Sequence, residues 1–81
     1  PNPFNPSTNI GFYLPKSEKV GLRVFDINGK LIHTLINNEI IFAGYHEYSL
    51  QSQQSELASG IYLYKIETTD WIETRKMLFI K

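Results

Sequence analysis

The dipeptide Asn28-Gly29 lies between two segments that each sort their apolar residues by alternation. Before it, Val20, Leu22 and Val24 share one side of an extended chain. After it, Leu31 and Leu35 share one side and Ile32 and Ile36 the other. Alternation of this kind belongs to strands, and Asn-Gly supplies the two positive-φ residues of a two-residue type I′ hairpin turn. Strands over residues 19–27 and 30–37 are therefore expected to pair antiparallel, with Asn37, Asn38 and Glu39 ending the second.

The same reading extends along the chain. Residues 8–14 place Ile10, Phe12 and Leu14 on one face and Asn9, Gly11 and Tyr13 on the other, and Pro15 stops the run. Ala43-Gly44 opens a strand over 45–50 with His46, Tyr48 and Leu50 aligned, and a polar loop over 51–56 follows. Leu57-Ala58-Ser59-Gly60 forms a turn into a strand over 61–68, where Ile61 and Leu63 oppose Tyr62, Tyr64 and Ile66. After Thr69-Asp70 the last strand, 71–81, is apolar on both sides near its end, which predicts burial on both faces. Ten Ile, two Val, five Thr and eleven aromatics against two Ala leave no segment that favours a helix. Six or seven short antiparallel strands in 81 residues predict an all-β fold, a small immunoglobulin-like Greek-key β-sandwich, as one domain over 1–81.

Such a chain builds one thin core and no deep cleft. Eight Lys plus Arg balance eight Asp plus Glu, so neither nucleic acid nor an anionic membrane surface is an expected partner. No apolar run is long enough for a membrane-spanning helix. Without an initiator Met or a signal peptide, the chain reads as a fragment of a larger exported protein. The lack of cysteine removes disulfides and thiolate chemistry.

The residues give no catalytic constellation. His33 and His46 fall on separate strands without a metal-binding motif, and Asp26 and Asp70 stand beside turns, where short side chains bond the local backbone. There is no G-x-S-x-G elbow and no glycine-rich phosphate loop. The segment is read as a non-enzyme with no cofactor and no metal site. Tyr45, Tyr48, Tyr62, Tyr64 and Trp71 could line a sugar-binding platform, but aromatics fill cross-strand pairs in any small sandwich, and that packing role is the favoured one. Lys16, Glu18, Lys19 and Arg23 read as solvated strand edges.

Both ends are written with unusual care. Three prolines and two Asn-Pro steps surround Phe4 in the first eight residues, a rigid lead-in with Phe4 expected to plug the core. Arg75-Lys76-Met77-Leu78-Phe79-Ile80-Lys81 ends the chain within its final strand.

PNPFNPSTNI, then Leu14-Pro15, LRVFDINGK over 22–30, LASGIY over 57–62, and Thr74-Arg75-Lys76-Met77 running to Lys81 together resemble the type A C-terminal sorting domain of type IX secretion. The resemblance covers the whole chain. Pro1, Asn2, Pro3 and Phe4 look like the family's N-terminal element, Gly60 and Tyr62 like its G-x-Y element, and Lys76 with Lys81 like the lysines of its terminal strand. Gly11 departs from a position where a basic residue is common, and 51–56 lacks the Asp and Gly residues frequent there.

The resemblance implies an address that carries a folded upstream cargo domain from the periplasm through the outer-membrane translocon. It also implies removal by a sortase-like protease and delivery to the cell surface or medium. These are the implied partners, with a homodimer through an open sheet edge as a further possibility. Gly60 is then expected to hold a backbone geometry closed to other residues, and Tyr62 to pack with a reachable hydroxyl. The alternative is a non-catalytic spacer, adhesion or glycan-binding module.

Overall fold

A computed structural model describes residues 7–51 and 57–80. Six strands follow in order: β1 (Ser7–Leu14), β2 (Glu18–Phe25), β3 (Leu31–Ile41), β4 (Gly44–Gln51), β5 (Gly60–Thr68) and β6 (Ile72–Phe79). All pairings are antiparallel. β1 and β4 form one sheet, and β3-β2-β5-β6 form the other. In immunoglobulin lettering these are B-E and C′-C-F-G, so the expected sandwich is the fold. The expected elements over 1–6, the Phe4 plug and the loop over 52–56 lie outside the described residues.

The period of two explains the core. Ile10, Phe12, Leu14 and Leu50 of the small sheet meet Val20, Leu22, Val24, Ile36, Tyr62, Ile66, Met77 and Phe79 of the large one in a single buried cluster closed by Leu57. Phe12 stacks on Tyr48, with 6.0 Å between ring centroids, and lies 5.7 Å from the His46 ring. His46 Nε2 is 2.6 Å from the Phe42 carbonyl oxygen, so this half-buried imidazole is occupied by local structure.

Several expectations are corrected. β2 stops at Phe25, before the expected Ile27, because the turn is larger than a two-residue type I′ turn. Gly29 alone there has positive φ, 87°, while Asn28 does not. Gly29 N donates to the Asp26 carbonyl and Asp26 N to the Lys30 carbonyl, at 3.0 and 2.9 Å, as in a three-residue turn with one left-handed glycine. Asp26 decides the choice: its Oδ1 accepts from both Asn28 N and Lys30 N at 2.9 Å.

β3 does not end at Asn37 to Glu39 but runs to Ile41. It absorbs register shifts against β2 between Val20 and Leu22, Leu22 and Arg23, and Val24 and Phe25. Asn38, at φ 56°, takes up one of them. Alternation is lost across these bulges, so Ile32 and Leu35, expected on opposite faces, both pack against the core.

β6 begins at Ile72, not Trp71, because Trp71 closes the β5–β6 turn with its carbonyl, which accepts from Thr68 N at 2.8 Å. The strand is buried on one face only. Met77 and Phe79 point inward, while Leu78 is 60% exposed and Ile80 lies on the surface. Glu18, expected on a solvated edge, is 7% exposed because it shares the inward register of Val20 and Leu22. Among the described residues its Oε1 has no hydrogen-bond partner.

Candidate functional site

The sandwich has two poles. At one, the β1–β2, β3–β4 and β5–β6 connections meet, and Lys16 Nζ stands 3.0 Å from Asp70 Oδ2. That hydrogen bond, and then the charge of Asp70, hold the Lys16 ammonium above its ordinary 10.5. Nearby, Lys19, Asn38, Glu67, Thr68 and Thr69 line a shallow depression of about 190 Å³, smaller than usual small-molecule sites.

The other pole gathers the described parts of the sequence motifs. Register places Gly60 opposite Phe79, Ile61 opposite Leu78, Tyr62 opposite Met77 and Leu63 opposite Lys76. Thr8 Oγ1 donates across the sandwich to the Leu78 carbonyl at 3.5 Å, which sets the start of β1 beside the end of β6. Thus the chain entering β1, the G-x-Y element and the end of β6 occupy one pole. Lys76 stands a short way along β6 on the outer face, opposite in direction to Tyr62. Pro1, Asn2, Pro3, Phe4 and Lys81 lie outside the described residues.

Tyr62 anchors this pole. Its ring is buried at 9% exposure, and its hydroxyl donates to the Ala58 carbonyl at 2.6 Å. A tyrosine near the start of strand F, bonded back to the backbone just upstream, is the tyrosine corner of immunoglobulin-like sandwiches. It locks the incoming chain, Leu57 to Ser59, onto β5. The special backbone geometry expected of Gly60 is not found. Its φ is not in the left-handed region, and among the described residues a Cβ there would meet only Tyr62 Cε1, at 3.9 Å.

The secretion system C-terminal sorting domain family model matches residues 1–81. The chain belongs to this family, the C-terminal sorting domains of type IX secretion. No curated protein and no solved structure matches it.

In this sorting domain the aromatics do not form a common exposed platform. Tyr62 packs inside, Tyr48, Tyr64 and Trp71 lie half-buried against the core, and Tyr45 stands on the outer face of the small sheet. Tyr45 lies over Gly11, where a Cβ would run into its hydroxyl, so the departure at position 11 is matched by a cover. Arg75 donates through Nε to Glu73 Oε2 at 2.9 Å, and this bond raises the guanidinium above its ordinary range. Among the described residues, no three His, Cys, Asp or Glu gather as a metal site, and no helix is long and apolar enough to cross a membrane. Sequence reasoning missed Ala58 and Thr8: each contributes an ordinary backbone or hydroxyl group whose partner is visible only in space.

Proposed function

We propose that this sorting domain directs a folded cargo, joined ahead of Pro1, from the periplasm across the outer membrane through the type IX translocon. A sortase-like protease then removes the domain, and the cargo reaches the cell surface or the medium. The observation that carries this reading is the family match over all of 1–81. The gathering of the G-x-Y element and the end of β6 at one pole supports it, because a receptor can read both in one contact. Pro1, Asn2, Pro3, Phe4, Gly60, Tyr62, Lys76 and Lys81 are the proposed recognition residues. Tyr62 acts through the pole it holds in shape, since its ring is buried.

The test is export of a folded reporter fused to residues 1–81 behind a signal peptide, in a type IX host with and without its translocon. Translocon-dependent appearance outside the cell is expected. Periplasmic retention of a stable fusion in the competent host overturns the reading and favours the spacer or glycan-binding alternative.

A further inference from the structure

The outer face of the four-stranded sheet carries exposed apolar side chains. Tyr62 points inward on β5, so Ile61, Leu63, Lys65 and Glu67 point outward. Likewise Val20, Leu22 and Val24 turn Lys19, Gly21, Arg23 and Phe25 outward. Pairing joins Leu31 to Phe25, Phe25 to Leu63 and Ile61 to Leu78, so these five apolar side chains form one continuous patch next to the motif-bearing pole. Leu31 and Ile61 are each 49% exposed and Leu78 is more so. A monomeric soluble domain rarely leaves such a patch open without use.

Charge on this face is one-sided although the chain is neutral. Lys76 sits beside Leu63, and Arg23 pairs with Lys65 across β2 and β5. The Lys65 ammonium stands 5.3 Å over the Phe25 ring, and the Arg23 guanidinium donates to Asn37 Oδ1 at 2.9 Å. The apolar patch is thus rimmed by Arg23, Lys65 and Lys76, with Lys19 beyond them and Glu67 the one acid on the outer side of β2 and β5. An apolar centre within a charged rim is the anatomy of a protein interface. Its complement is a protein surface with an apolar ridge flanked by acidic side chains. A second copy of this chain does not supply that complement, because two such faces set cations against cations.

We propose that this face docks an acid-flanked apolar surface of the export machinery. The inference deepens the sorting reading and rests on it. The probe is the type IX outer-membrane translocon, purified in detergent and titrated against residues 1–81 fused behind a folded reporter. Lys65→Glu, Leu31→Ser and Leu78→Ser avoid the motif residues, and circular dichroism with urea midpoints establishes that each variant is folded.

Wild type is expected to bind, with affinity falling about tenfold between low and physiological salt. Lys65→Glu combined with Leu78→Ser is expected to weaken binding about 30-fold or more. Tyr13→Ser with Glu47→Lys, on the opposite sheet, should stay within about twofold. Folded variants that bind like wild type overturn the docking face and leave the sorting reading intact. A wild-type chain that ignores the translocon overturns both. Dimerisation abolished by Lys65→Glu, or binding to anionic phosphatidylglycerol vesicles with no translocon affinity, overturns the proposed partner chemistry.

Discussion

The Tyr62 hydroxyl and the Ala58 carbonyl, 2.6 Å apart, tie the chain entering β5 to the core. Tyr62→Phe removes this bond and leaves a partly buried carbonyl without its donor. The expected loss is about 1 to 1.5 kcal/mol, read as a fall of about 5–10 °C in the thermal midpoint of a domain this size. An unchanged midpoint would mean that the corner contributes nothing to folding.

Gly60→Ala should leave stability within about 0.5 kcal/mol of wild type, because the added Cβ has room and the backbone is ordinary. Gly44→Ala, at φ 117°, should lose about 1 kcal/mol or more. Urea denaturation separates the two. Should Gly60→Ala stop export at unchanged stability, the translocon must approach the backbone at that residue.

Glu18→Met is expected to stabilise the domain by about 1–2 kcal/mol, since a buried carboxylate with an unmatched oxygen is replaced by an apolar side chain of similar volume. Chemical denaturation reads the gain. A loss would show that the carboxylate has a partner in solution that outweighs its burial.

Asp26→Ala removes the acceptor shared by Asn28 N and Lys30 N and should lower stability by about 1–2 kcal/mol. Asp26→Asn keeps an acceptor oxygen and should recover most of it. Faster amide exchange at residues 28 and 30 in the alanine variant alone would locate the effect in the turn.

The sequence made the sandwich legible because alternation in β1, β2, β4 and β5 is regular, and a period of two has one structural meaning. For β3 it showed a strand but neither its reach to Ile41 nor its bulges, where register shifts carry extra residues and Asn38 bends the backbone. The Asn28-Gly29 pair announced a turn but not its type, because the deciding group is the side chain of Asp26. The exposed flank of β6 was hidden for another reason: Leu78 and Ile80 look like core residues, but they lie on the outer face of the large sheet, over which the described residues build no third layer. The Gly60 and Tyr62 motif was readable as a pattern, whereas the Ala58 carbonyl that gives Tyr62 its role carries no mark in the sequence.

Thr8 meets the Leu78 carbonyl, so the chain enters and leaves the described sandwich on the same side. Tension between Ser7 and Phe79 therefore draws β1 from β4 and β6 from β5 one rung at a time, starting at Ser7 with Gln51 and Gly60 with Phe79. Each rung bears the load alone before the next is reached. Pulled by these two ends the domain opens as a zipper does, at low force, instead of resisting as a sheared sheet would.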